Sequence, residues 1–149
     1  MKIAIGCDHG GIALKPAVLK RLEERGIDVE DYGTFSEESV DYPDYALKVA
    51  EAVKDGKADC GILLCGTGIG IGIAANKVPG IRCALVSDLF SAKACKEHNN
   101  ANIISIGGRV TDSEKAVAML DAWLDAEYQG GRHQNRLDKI TAIEQKYSK

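Results

Sequence analysis

Two hydrophobic patterns alternate along this chain. Short, nearly continuous apolar runs recur at Lys2–Cys7, 27–32, 61–64, 81–86 and 102–106. Runs this short, bounded by glycine or polar residues, read as strands, and those lacking polar alternation read as strands buried on both faces. The run at 27–32 does alternate, which places it nearer a sheet edge. Between the runs, apolar residues recur every three or four positions, the spacing of one helix face. Leu14, Val18, Leu19 and Leu22 do so within 12–25, and Ala46, Val49, Ala50 and Val53 do so after Asp41. A short helix is expected at 71–76, another from Ser87-Asp88 to about Glu97, and a third carrying Val117, Leu120 and Leu124.

The punctuation agrees with this reading. Pro16 and Pro43 sit where a first helical turn tolerates proline. Gly26 and the Asp55-Gly56 pair are stop signals, and His98-Asn99-Asn100 terminates the helix before it. Ser87-Asp88 suits a helix N-cap, and Thr111 with Glu114 has capping-box spacing. Gly130-Gly131 breaks the last of these helices. From Arg132 a further helical stripe carries Leu137, Ile140, Ile143 and Tyr147. Such a terminal helix, beyond a complete β/α set, suits packing on a second subunit.

Five strands alternating with helices predict a Rossmann-like three-layer α/β/α sandwich: a five-stranded parallel sheet with an extra C-terminal helix. Right-handed crossovers bring every strand's C-terminal end to one rim. On that rim the sequence places Asp8, His9, Cys65, Thr67, Asp88 and Arg109.

The length, 149 residues, fits one domain over 1–149 with a sizeable core, its tail 130–149 docked on a partner subunit. A net charge of −3 gives no electrostatic case for nucleic acid or an anionic membrane, and no apolar run is long enough to span a bilayer. The N-terminal run lacks the length and cleavage site of a signal peptide. The 5 cysteines include no C-x-x-C pair, which points to reduced thiols in the cytosol rather than disulfides or zinc.

The densest chemistry lies in Cys65-Gly66-Thr67-Gly68-Ile69-Gly70. A thiol stands where a buried strand gives way to a glycine-rich turn, at the sheet end where α/β proteins bind ligands. Bare N–H groups of Gly66, Gly68, Ile69 and Gly70 can face an anion or a developing oxyanion. The helix start just downstream favours a thiolate, so Cys65 is a candidate nucleophile or general base, against the ordinary fate of a free cysteine as a core residue. Cys60 and Cys83 read as core. Asp8 suits sugar hydroxyls or a helix cap, and His9 suits a phosphate. A competing reading takes Gly70-Ile71-Gly72-Ile73-Ala74-Ala75 as G-x-G-x-x-A of a dinucleotide site, with Asp88 as the ribose-binding acid. His98 and Asn99 sit at a helix end. Arg132 and Arg136 share a helix face and suit either a phosphate dianion or solvent.

Taken in order, several pieces are similar to one known family. They are Gly6-Cys7-Asp8-His9, Ser39-Val40-Asp41-Tyr42-Pro43-Asp44, Cys65-Gly66-Thr67-Gly68-Ile69-Gly70, Ala75-Asn76-Lys77, Gly80-Ile81-Arg82, His98-Asn99, Gly107-Gly108-Arg109 and Gly130-Gly131-Arg132-His133. The chain resembles, nearly end to end, the type B ribose-5-phosphate isomerases, a family shared with galactose-6-phosphate isomerase subunits. The departures are small: Gly10 stands where alanine is usual, and Gly72 where serine or alanine is common. The resemblance implies a cofactor-free, metal-free aldose–ketose isomerase of the pentose phosphate pathway, working through an enediolate. Cys65 would move the proton, Gly66, Gly68, Ile69 and Gly70 would cradle the charge, and His98, with Thr67, would open the furanose ring. Asp8, Tyr42 and Asn99 would contact the sugar, and His9, Arg109, Arg132 and Arg136 the phosphate. The resemblance also implies a homodimer or tetramer with sites shared between subunits. It leaves open isomerisation of allose or galactose 6-phosphate, and the residues alone leave open a non-catalytic nucleotide-binding module.

Overall fold

A computed structural model describes residues 1–148; Lys149, at the end of the expected tail, lies outside them. The strands are β1 (Lys2–Cys7), β2 (Asp28–Asp31), β3 (Cys60–Cys65), β4 (Cys83–Leu85) and β5 (Ile103–Gly107). The helices are α1 (Lys15–Glu24), α2 (Tyr42–Lys54), α3 (Ile69–Ala75), α4 (Leu89–Glu97), α5 (Ser113–Asp125) and α6 (Arg132–Tyr147). All four strand pairings are parallel, and the order is β2-β1-β3-β5-β4. The apolar runs of β1, β3 and β5 are buried because these strands occupy the middle of the sheet, while β2 and β4 form the edges.

Each face of the sheet carries its own core. On one side Ile3, Ile5, Ile62, Leu64, Ile104 and Ile106 pack against α1, α4 and α5, with Trp123 closing the layer. On the other side Ala4, Leu63, Cys65 and Ile103 pack against α2 and α3. The chain steps from β1 to β2 with α1 on the first face, then reverses direction and reaches β3 with α2 on the second. A single crossover hand demands that change of face with change of direction. The reversal opens a crevice between the C-terminal ends of β1 and β3, the topological switch point of the sheet.

Several boundaries differ from the expectation for local reasons. The first helix begins as one 3₁₀ turn, Ile12–Leu14, before Pro16 enters the first α turn. The cap of α5 is Asp112, whose side chain accepts the Lys115 N–H at 2.8 Å, in place of the Thr111–Glu114 box. β4 is shorter than expected because the Arg82 N–H turns to the Asn102 side chain at 2.8 Å. Asn100, at φ 46°, ends α4 in the left-handed conformation that asparagine tolerates. On α6 the stripe is only partly covered: Leu137 is buried, but Ile140 is 48% and Ile143 61% exposed.

Candidate active site

Three loops meet at the crevice: those after β1, β3 and β5. They meet backbone to backbone. A Cβ on Gly11 would lie 2.3 Å from the Leu64 carbonyl carbon, and one on Gly108 would lie 2.6 Å from the Gly10 oxygen. The Gly108 N–H donates to the Cys65 oxygen at 2.7 Å, and the Arg109 N–H to the Gly66 oxygen at 2.9 Å. The loop after β5 is thereby stitched to the turn that follows the thiol.

Cys65 ends β3 on the α2/α3 face. Its sulfur accepts the Gly68 N–H at 3.1 Å. Gly68 reaches that position at φ 78°, and a Cβ there would press into Leu85 and the Ile106–Gly107 backbone. A backbone donor aimed at sulfur is the environment that serves a thiolate. The other four thiols are shifted by burial. Burial pushes Cys7 up, Cys60 and Cys95 to about 11, and Cys83 to about 12, so all four stay protonated at neutral pH. All five are free, with Cys60 in the core as expected and Cys83 half-buried. Cys65 is itself only 4% exposed, so its sulfur lies recessed at the base of the turn.

The Thr67 hydroxyl accepts the Ile69 N–H at 3.2 Å, just before α3. Among the described residues, the N–H groups of Gly66, Thr67 and Gly70 have no acceptor within the protein. Of the expected cradle, then, Gly66 and Gly70 keep free donors, while the Gly68 and Ile69 N–H groups are already engaged. Tyr42, at the start of α2, lays its ring on Gly70, where a Cβ would meet ring atoms at 2.6 Å. Arg109 spreads over Gly66 in the same way, its Nη1 3.1 Å from a Cβ built there.

Asp8 is 6% exposed and ties down the turn after β1. Oδ1 accepts the N–H groups of Gly10 at 2.8 Å and Gly11 at 3.1 Å, which fixes the turn, and Oδ2 is left for a ligand. His9 accepts the Val40 N–H on Nδ1 at 3.2 Å. Asp8, His9, Tyr42, Cys65, Thr67 and Arg109 therefore gather around one crevice.

His98, Asn99, Arg132 and Arg136 gather elsewhere. Helix α4 starts beside the C-terminal end of β4 and runs back along the sheet, so His98 lies near the level where β5 begins, at the opposite rim. There the His98 and His133 rings stack, with centroids 4.6 Å apart and planes 14° from parallel. Gln129 fastens the start of α6 to α4 through its N–H to the Glu97 oxygen at 3.0 Å. His133 is buried, and burial, followed by the facing His98, Arg132 and Arg136, holds its imidazole below the ordinary value. The sequence reading gave His133 no role; the adjoining His98-Asn99 and Arg132-His133 pieces were its only signal.

The dinucleotide reading fails on geometry. Gly70-Ile71-Gly72 lies inside α3 rather than in the turn before it, and Asp88 spends its carboxylate on the Ser91 N–H at 2.7 Å and hydroxyl at 3.0 Å. No helix among the described residues is long and apolar enough to cross a membrane, and none of their His, Cys, Asp and Glu side chains form a group of three placed to hold a metal ion.

Comparison with known proteins places the chain in a family. Residues 3–140 match the family model described as Ribose/Galactose Isomerase. The chain is 53% identical over 145 residues to ribose-5-phosphate isomerase B of Escherichia coli strain K12, covering 97% of each chain. It is 46% identical over 141 residues to D-erythrulose-4-phosphate isomerase of Pectobacterium atrosepticum, covering 94% of this chain and 93% of that one. A solved structure of Clostridium thermocellum ribose-5-phosphate isomerase B superposes with a TM-score of 0.98 at 56% identity, covering 99% of this chain and 100% of that one. A recessed thiol under a backbone donor, at the switch point of a parallel sheet, and a match along most of the chain lead to the same place: the protein belongs to the ribose/galactose isomerase family.

Proposed function

We propose that the protein interconverts D-ribose 5-phosphate and D-ribulose 5-phosphate through an enediolate. One observation carries the reading: the Cys65 sulfur takes a backbone N–H while the Gly66, Thr67 and Gly70 N–H groups beside it stay free. An aldose and its ketose differ by a proton moved between adjacent carbons, which requires one positioned base and donors where charge develops. In the forward direction the Cys65 thiolate takes the proton from C2 and the electrons of that bond flow toward the C1 oxygen. The free N–H groups hold the resulting enediolate. The thiol returns its proton to C1, and the hydroxyl proton at C2 passes to the C1 oxygen. Asp8 Oδ2 and the Tyr42 hydroxyl orient the sugar, while His9 and Arg109 take the phosphate.

The site is complete only with a second copy. Ring opening by His98, the Asn99 contact and the Arg132–Arg136 phosphate grip belong to the opposite rim, so in the proposed homodimer they face the partner's Cys65. The exposed apolar residues of α3 and α6, Ile69, Ile73, Ile140 and Ile143, suit such an interface.

A coupled assay on four-, five- and six-carbon aldose phosphates tests the reading. Ribose 5-phosphate is expected to turn over best, with activity abolished in Cys65→Ala. The named activity of the Pectobacterium relative makes a four-carbon substrate the relevant competitor. Full turnover by Cys65→Ala, or preference for another chain length, overturns it.

A further inference from the structure

Lys15 is a lysine where none is needed for solubility: it opens α1 and is 5% exposed. Its ammonium lies 2.7 Å from Asp31 Oδ1, donates to the Thr34 oxygen at 2.8 Å, and sits 4.2 Å from the centre of the Phe35 ring. Asp31 in turn accepts the Gly33 N–H at 2.9 Å. Burying a charge is costly even when paired, so an ion pair here is better understood as fixing a conformation than as adding stability. The conformation it fixes is that of loop 33–41. The loop's base continues the β1 ladder, with the Cys7 N–H on the Gly33 oxygen at 2.6 Å and the Thr34 N–H on the Cys7 oxygen at 2.7 Å. Its middle, 36–39, is exposed. Its far end brings the Val40 N–H to His9 Nδ1 at 3.2 Å and delivers Tyr42 onto Gly70.

A donor directed at Nδ1 requires that nitrogen to be bare, so the His9 proton resides on Nε2. We propose that Lys15 is a positioning residue which, through loop 33–41, locks His9 as the neutral Nε2–H tautomer. His9 then offers the substrate a single N–H donor, and the charge of the phosphate is met by arginine alone. This rests on the functional reading above only for what His9 touches; the tautomer is a property of the free protein.

The test is a long-range ¹H–¹⁵N correlation spectrum of the imidazoles at neutral pH in wild type, Lys15→Met, Lys15→Arg and Val40→Pro, with His9→Gln to assign the signals. Steady-state kinetics on ribose 5-phosphate run alongside. Wild type is expected to show His9 as Nε2–H alone. Lys15→Met is expected to average the two tautomers and raise KM about three- to tenfold, the loss of one hydrogen bond, with kcat little changed. Lys15→Arg is expected to restore both. Val40→Pro, which deletes the donor and spares Lys15, is expected to reproduce the Lys15→Met spectrum, and an unchanged His9 spectrum in it overturns the proposal. A wild-type His9 that is cationic or Nδ1-protonated overturns the proposal. So does a folded Lys15→Met with lowered melting temperature but an unchanged His9 spectrum and KM. Absence of turnover by wild type strikes the functional reading and leaves the tautomer result standing.

Discussion

The placement of His98 makes a quantitative prediction. Strands β3 and β5 are in register from Gly61 opposite Ile103 to Cys65 opposite Gly107. Four steps along a parallel strand span about 13 Å, and His98 precedes Ile103 on the far side of that interval. On that spacing His98 and Cys65 of one chain are expected to serve different sugars. Cys65→Ala and His98→Asn should each be nearly inactive alone, since on the proposed function one removes the base and the other the ring-opening group. Mixed after reversible unfolding, the two variants should recover activity. Random pairing makes half of the dimers mixed, and each mixed dimer has one site with both groups intact and one with neither. About a quarter of the wild-type activity per subunit should therefore return. The assay is coupled turnover of ribose 5-phosphate against mixing ratio, with native mass spectrometry to count mixed dimers. If mixed dimers form and activity stays at the level of the parents, the site is not shared and the rim argument is wrong.

Two further outcomes follow from the packing and the stacked histidines. Gly11→Ala forces a Cβ against Leu64 and Cys65 backbone atoms that have no room to yield, costing on the order of 3 kcal/mol in chemical denaturation. Gly70→Ala meets only the Tyr42 ring, which is 39% exposed and can swing away; it should leave stability nearly unchanged but raise KM, and equal stability losses in the two variants contradict this account. His133 is held below its ordinary value by burial and by its cationic neighbours. Unfolded chains therefore bind a proton that the folded chain resists, so stability should be full above about pH 6.5 and decline as the pH drops through that value. Melting temperatures between pH 5 and 8 should show a smaller acid loss in His133→Gln than in wild type, and parallel curves exclude the effect.

Much of this was legible in the sequence. The buried middle strands announced themselves as unbroken apolar runs, and the weaker pattern at 27–32 marked an edge because an edge strand keeps partly exposed residues. The gathering of Asp8, His9, Cys65 and Arg109 followed from the rule that parallel strands share a rim. The strand order did not follow, because alternation of strand and helix is the same for every order, and only the order puts the switch point between β1 and β3. Lys15 was equally hidden: a lysine opening a helix looks solvated until Asp31 and Thr34 are brought to it from elsewhere in the chain. The capping of α5 shifted by one residue because Asp112 takes the Lys115 N–H, and local spacing cannot rank that cap against the Thr111–Glu114 box.

The interlocked glycines around Cys65 have a bearing on redesign. With Gly11 and Gly108 pressed main chain to main chain against their neighbours, no side chain can be introduced there to reshape the pocket. Altered sugar preference has to be sought in what closes over this floor: Tyr42, the 33–41 segment and, in the proposed homodimer, the residues a second copy brings. A library confined to those positions samples new pocket shapes while leaving the proton-transfer machinery in place.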